Sequence, residues 1–385
     1  MPFDSNTFYV GVNFGWFLGA YGWDIGSYFN SKGAPNLTDD EFDELISAYF
    51  HHLSLYKINV VRIWLFEKFE GIHIEGYDTS SDQLNADHRL DYTDQKQFFS
   101  RVQMIMIKAA ENEIQIYWTL LDAALLLSTN KPPQWYAPLM RLVLTSSKLR
   151  DNFKNDILTP FLEALLPYQE YVFGIDVMNE FDWTWRKAGY QKSTVLHAMT
   201  DILGCIHKKY PYSCTASFSG HHELNDIKND DFINAIDFFD YHRYYDPNTP
   251  KNSHHGVLPQ WENKDHYYKN CIIGEIGHKY SGNEELDESK QATSCRSVMN
   301  QTITNGYSGV LLWRYSAEGD RHRLLKGVIE NHDTSSVKNF ITNFISVANT
   351  SKLQGGNRLL FEGFERRVWV EILTFYDTIP QNRVT

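Results

Sequence analysis

Tyr171-Val-Phe-Gly-Ile-Asp-Val-Met-Asn179-Glu180-Phe-Asp-Trp183 is the stretch from which the rest of the chain can be read. Val172 to Met178 is a short apolar run rich in β-branched residues, broken only by Gly174 and Asp176, and it predicts a buried strand. The run ends in a carboxamide and a carboxylate side by side, with Phe181, Trp183 and Trp185 close behind. A carboxylate at the exit of a buried strand, among aromatic rings, sits where low dielectric raises its pKa. It can then hold a proton near neutral pH and deliver it to a leaving group. The same residues also suit a strand-end Glu that caps the next helix or pairs with an arginine.

A second stretch shifts the balance. Cys271-Ile-Ile-Gly-Glu275-Ile-Gly is again a short apolar strand with a Glu near its exit. Two strand-end glutamates several elements apart are what double-displacement glycoside cleavage needs: one donates a proton, and the other attacks to form a glycosyl-enzyme.

Outward from these two stretches, strand and helix patterns alternate. The strand at 8–14 runs into a Gly- and aromatic-rich loop carrying Trp16, Tyr21 and Trp23. Thr38-Asp-Asp-Glu41 is a capping-box signal that opens a helix reaching about Tyr56. A strand at 58–67 contains Arg62. A polar loop with Gly71, Gly76 and Asp78 then leads to a helix at about 93–112. The strand at 113–121 is followed by a long loop with Lys131-Pro-Pro-Gln-Trp135 and a helix at about 147–166. After the Glu180 strand come a helix at 192–209, stopped by Tyr210-Pro211, and a weaker strand at 213–217. The strand at 236–242 ends in His242, and a loop with Pro247, Pro250 and Pro259 leads to a short helix near Trp261. After the Glu275 strand come a helix at 285–305, the strand Tyr307 to Tyr315 with Trp313, and a helix at 335–348. Such alternation predicts a parallel sheet, and eight units predict an α/β chain folded as a closed (β/α)8 TIM barrel. The expected organisation is a catalytic barrel over residues 1–350, with long loops at the C-terminal strand ends. Residues 351–385 would form a short C-terminal extension packed on the barrel, with an apolar run at 367–375.

A length of 385 residues and a hydrophobic content of 42% support one large core. The net charge of −12 argues against nucleic acid or an anionic membrane as partner through bulk electrostatics. Aromatic residues make up 15% of the chain, which suits a protein that stacks rings on the apolar faces of sugars. The expected partner is therefore an oligo- or polysaccharide. No apolar run is long enough for a membrane span, and the N-terminal Met-Pro-Phe-Asp-Ser-Asn has no signal-peptide character, so a soluble chain is expected. Cys205, Cys214, Cys271 and Cys295 are widely spaced, form no metal-ligand pattern and read as core thiols. His221-His-Glu223 and His254-His255 lack the spacing of a zinc helix and read as solvated loop residues. No phosphate-binding or dinucleotide fingerprint occurs, and neither cofactor nor metal is expected.

Asn179-Glu180 on strand four, Gly274-Glu275 on strand seven and Trp313 on strand eight resemble clan A of the (β/α)8 glycoside hydrolases. The nearest resemblance is to family 5, the cellulase and mannanase group, across residues 8 to about 348. That resemblance implies Glu180 as acid/base, Glu275 as nucleophile and Asn179 as the partner of the sugar 2-hydroxyl. It implies that Arg62 holds the nucleophile ionised. In His242-Arg-Tyr244 the Tyr would donate to the nucleophile and the His would lie near the acid/base. Trp313 would be the platform under the sugar at the cleavage point. Trp16, Trp23, Trp135, Trp183 and Trp185 fall in loops expected at the same end and read as further sugar platforms, Trp16 and Trp183 foremost. The chain departs from the family after strand three, where Leu120-Leu-Asp122 replaces a common His. Three functions remain open on the sequence: a retaining β-glycosidase for gluco- or manno-configured substrates, a transglycosylase using the same glutamates, and a non-catalytic sugar-binding barrel.

Overall fold

The computed structural model describes residues 7–15, 25, 38–66, 68–69, 71–75, 84–85, 87–127, 136–221, 227, 230–245, 261, 269–278, 295–313, 375 and 379. Eight parallel strands form one sheet: β1 (Tyr9–Phe14), β2 (Val60–Trp64), β5 (Gln115–Asp122), β6 (Val172–Asn179), β7 (Cys214–Thr215), β8 (Phe239–Tyr245), β9 (Cys271–His278) and β10 (Gly309–Leu312). They run in the order β7-β6-β5-β2-β1-β10-β9-β8. The two ends of that sheet meet at Phe218, just after β7, and where Asp237 N–H donates to Cys214 O (2.8 Å). Phe218 bridges to Tyr241, its N–H donating to Asp240 O (2.9 Å) and its carbonyl accepting from His242 N–H (2.9 Å). The predicted (β/α)8 barrel is thus observed, with a thin seam between β7 and β8.

Two-residue alternation along the strands explains why the interior is apolar at the bottom and polar at the top. Tyr9, Val60, Tyr117, Phe173, Phe238, Ile272 and Leu311 pack into a plug at the N-terminal end. Its rings contact edge-on, Tyr9 to Phe173 at 4.8 Å and Phe173 to Phe238 at 5.6 Å between centroids. Stepping along the same strand faces, Val60 leads to Arg62, Phe238 to Asp240, His242 and Tyr244, and Leu311 to Trp313. The other faces (Val10, Val12, Val61, Ile63, Ile175 and Val177 among them) join the larger cluster that includes the surrounding helices.

One interior position requires a glycine. A Cβ at Gly274 would lie 2.1 Å from Asp240 Oδ1, a fully buried side chain. Gly274→Ala should therefore destabilise the fold by about 1–3 kcal/mol, the usual range for overpacking a core. Denaturant titration measures this, and an unchanged midpoint would mean that Asp240 is free to move.

Outside the barrel the capping box forms as expected: Glu41 N–H donates to Thr38 Oγ1 (3.2 Å) and Thr38 N–H to Glu41 Oε2 (2.9 Å), opening the helix Asp39–Leu55. Three local expectations need correction. The polar stretch after β2 contains an antiparallel pair, β3 (Ile72–Glu75) and β4 (Arg89–Tyr92), which buries Ile72, Ile74, Leu90 and Tyr92 on one face. The long loop after β5 ends in a helix, Tyr136–Thr145. The helix expected at 147–166 is broken into segments, with a π-helical stretch Phe153–Leu158 just before Pro160, which cannot donate a backbone hydrogen bond. No helix among the described residues is long and apolar enough to cross a membrane.

Trp16, Tyr21, Trp23, Trp135, the expected helix at 335–348, the start of that at 285–305 and the domain boundary at 350 lie outside the described residues. So does the short helix expected near Trp261, apart from that residue itself, which is buried against Phe239 and Tyr307. Of the C-terminal stretch, Phe375 is buried edge-on against Phe8 at 5.7 Å, and Ile379 is buried as well.

Candidate active site

Arg62 is the hub of the upper barrel. It lies wholly buried on β2 and hydrogen-bonds to three other strands and to Ser217, just past β7. Nη1 donates to Glu275 Oε1 (2.5 Å) on β9 and to Asn13 Oδ1 (3.0 Å) on β1. Nη2 donates to Asp176 Oδ2 (2.7 Å) and Asn179 Oδ1 (2.9 Å) on β6, and more weakly to Ser217 Oγ (3.4 Å). Burial disfavours the cation, but Asp176, Glu275 and Asp240 outweigh it and raise the guanidinium pKa. The rings of Trp64 and Tyr117 each lie 5.5 Å from the guanidinium carbon.

Glu275 is held on both oxygens. Arg62 binds Oε1, and the Tyr244 hydroxyl donates a short hydrogen bond to Oε2. Burial pushes its carboxyl pKa up, while His242, Arg62 and the Tyr244 hydrogen bond pull against that. Burial prevails and holds the pKa above the ordinary carboxylate value, while the two donors, the Arg62 cation and the Tyr244 hydroxyl, favour the ionised form.

Glu180 is buried as well, but the charges around it differ. Burial pushes its pKa up to about 8, with the negative charges of Asp122 and Asp182 adding to the shift. It stands just past β6 with φ +45, a left-handed conformation unfavourable for a non-glycine residue. Its N–H is satisfied by Ser217 Oγ (3.2 Å), which helps hold the bend. His242 Nδ1 lies 3.0 Å from Glu180 Oε1 and 3.4 Å from Glu275 Oε2, and one donor atom from each of the three lies within 4.8 Å of the others. These donor types could also suggest a metal. Arg62 already occupies the space beside Glu275, however, and its positive charge opposes a second cation there.

The structure thus brings Arg62, Asn179, Glu180, His242, Tyr244 and Glu275 together at one barrel end. It also adds residues that the sequence reading did not single out. Asp176 accepts from Arg62, from Ser217 through both N–H and hydroxyl, and from Thr119. Asn13 donates to Gly274 O (2.7 Å) and ties β1 to β9. Asp122 accepts from Asn179 Nδ2 (3.0 Å), orienting the amide whose oxygen faces Arg62. Asp240 accepts from Tyr117 (2.7 Å), and burial lifts its pKa to about 6. The available signal was a charge inside an apolar strand, as at Asp176 and Asp240: such a residue has to be paired.

The aromatic residues divide. Trp313 is buried at the end of β10, tilted 5.6 Å from Trp64 and in reach of Gly15. The Trp185 ring packs edge-on against Phe181 at 5.2 Å and so belongs to the packing. Trp183 is partly exposed, but Lys187 Nζ lies 3.0 Å from its ring centroid, so a sugar stacking on that face has to displace the ammonium.

No family model and no curated protein matches the sequence. Solved structures do resemble its fold. The β-1,4-D-mannanase from Cryptopygus antarcticus aligns over 92% of this chain and 94% of its own, with 17% identity and a TM-score of 0.57. The β-1,4-mannanase from the common sea hare Aplysia kurodai aligns over 92% and 96%, with 14% identity and a TM-score of 0.56. The β-mannanase from the blue mussel Mytilus edulis aligns over 80% and 87%, with 18% identity and a TM-score of 0.55. At these identities the likeness is one of fold.

Proposed function

We propose that the chain is a retaining β-glycoside hydrolase, with β-linked manno-configured oligo- and polysaccharides as its first expected substrates and gluco-configured ones second. One observation carries this reading: two buried carboxyls with different partners, Glu275 clamped by Arg62 and Tyr244 and Glu180 close to the charges of Asp122 and Asp182, each bring an oxygen within 4.8 Å of the other and of His242. A separation of roughly 5–5.5 Å belongs to double displacement, and a much wider gap is needed to admit the water of an inverting enzyme. The names of the similar structures favour mannose over glucose.

In the first step a Glu275 oxygen attacks the anomeric carbon while Glu180 gives its proton to the glycosidic oxygen, and the aglycone sugar leaves. In the second, Glu180, now a carboxylate, takes a proton from water. The resulting attack on the anomeric carbon releases Glu275. Asn179, positioned between Asp122 and Arg62, is suited to hold the 2-hydroxyl. Trp313 is the expected sugar platform, and Trp183 and Trp16 would extend the cleft.

The reading is tested by incubation with β-1,4-mannan and β-1,4-glucan oligosaccharides, with proton NMR of the first product. Release of the β-anomer is expected, whereas an α-anomer would mean direct displacement by water. The pH profile follows from Glu180, which must be protonated for the first step. With its pKa near 8, kcat/KM should stay high through neutral pH and fall as pH rises past about 8. A dinitrophenyl glycoside, which needs little acid help, should lose that alkaline fall in its glycosylation step. A fall already complete near pH 5 would contradict a desolvated acid.

A further inference from the structure

On the outside of the barrel wall, three side chains from three elements converge on one point. His207 comes from the last turn of the helix Lys192–Lys209, Cys214 opens β7, and Asp237 precedes β8. His207 Nε2 lies 2.8 Å from Asp237 Oδ2 and 3.1 Å from Cys214 Sγ, and one donor atom from each of the three falls within 4.8 Å of the others. We infer that these three residues form a binding site for a divalent metal ion, zinc by donor type, that ties β7 to β8.

The donor types are an imidazole nitrogen, a cysteine sulfur that gives up its proton to solvent on binding, and a carboxylate oxygen, all of which zinc takes at a four-coordinate site. Tetrahedral zinc with ordinary bond lengths separates its ligand atoms by roughly 3.3–3.6 Å. The His207 contacts would have to open by only about half an ångström. The backbone already fixes two of the ligands against each other: Asp237 N–H donates to Cys214 O (2.8 Å), and Cys214 N–H donates to Asp237 Oδ2 (2.7 Å). The site is open on one side, since the His207 and Asp237 side chains are 34% and 39% exposed while Cys214 is buried. Water can supply a fourth ligand from that side. Lys269, the neighbouring cation, is engaged by the carbonyls of Ile233 and Ile236.

Position gives the site a purpose. β7 has two residues, and apart from the Phe218 bridge the β7–β8 edge is the weakest join of the barrel. A metal held by the helix before β7, by β7 itself and by the turn before β8 would clamp that seam. The residue opposite Cys214 on β6 is Ile175, on the outer face, so the site lies across the wall from the Arg62 network. Binding would therefore change stability and leave the carboxylates at the barrel top untouched. Spacing in the sequence could not reveal it, because the ligands come from three separate elements.

The test uses the full-length, untagged protein stripped with a chelator and titrated with cobalt(II), then with zinc. One equivalent of cobalt should bind with the near-ultraviolet thiolate-to-metal absorption of a cysteine ligand, and zinc should raise Tm by several degrees. Cys214→Ser and His207→Gln should each lose the Tm rise, and Cys214→Ser should also lose the absorption. Cys205→Ser, on the same helix, should keep both. If Cys214→Ser fails to fold, His207→Gln, at a partly exposed position, carries the same test through Tm. Absence of the absorption band and of the Tm shift in the unaltered protein would overturn the proposal. So would a band that survives Cys214→Ser, or a Tm shift that survives His207→Gln.

Discussion

Glu275→Ala should lose turnover on every substrate, natural or activated, because no other group can supply the attacking oxygen. Glu180→Ala should behave differently. With a dinitrophenyl leaving group it should form the glycosyl-enzyme at close to normal speed and then stall. Added azide should release it as the β-azide, since the second displacement inverts what the first inverted. Azide added to Glu275→Ala should give only the α-azide of direct attack. The opposite stereochemistry of the two products, read by NMR, assigns both roles at once. Activity of Glu275→Ala within about tenfold of normal, a loss of only about 1.4 kcal/mol, would remove Glu275 from the nucleophile role.

Arg62→Met should be the most damaging single change to stability. Met keeps much of the volume but leaves Asp176 and Glu275 buried without their cation; both contacts are now made by fully buried nitrogens at 2.7 and 2.5 Å. Breaking a buried pair in this way costs about 3–5 kcal/mol, since the remaining charge must be protonated or exposed. Urea denaturation should register that loss at neutral pH. The variant should recover part of it at low pH, where protonation removes the stranded carboxylate charges. A neutral-pH cost below about 1 kcal/mol, the range of a solvent-exposed pair, would mean that the network is relieved by other groups.

Much of this architecture could be read from the chain because its alternation is strong: the Glu180 and Glu275 strands are apolar runs with polar ends, and the structure places both ends at the same barrel mouth. The capping box at Thr38 was legible for a local reason, since both of its hydrogen bonds lie within four residues. The hairpin β3–β4 was harder to see, because its buried residues alternate with His73, Glu75, Arg89 and Asp91 and are separated by a long connection. β7 gave a weak signal for a physical reason: only Cys214 and Thr215 pair, and beyond them Ser217 is held to β6 by Asp176 and Phe218 bridges to β8. Asn13, Asp122 and Ser217 were missed because polar residues at strand ends are ordinary until a buried arginine is found within reach. Asp176 was visible as an interruption in an apolar strand, but its partner sits on another strand and emerges only when the barrel closes. The same is true of the His207, Cys214 and Asp237 cluster.

The central claim is that Glu275 becomes covalently bound to sugar while Glu180 handles the proton. It is tested most directly with a mannosyl fluoride in which fluorine replaces the second hydroxyl. The fluorine slows both steps, and the good leaving group keeps the first one accessible, so the intermediate accumulates. Mass spectrometry of the intact protein should then show one added fluorosugar. Peptide mapping should locate it on the side chain of Glu275, and Glu275→Gln should take up none. A label on Glu180 or another carboxylate, or no label from an enzyme that turns over the parent mannoside, would contradict the account.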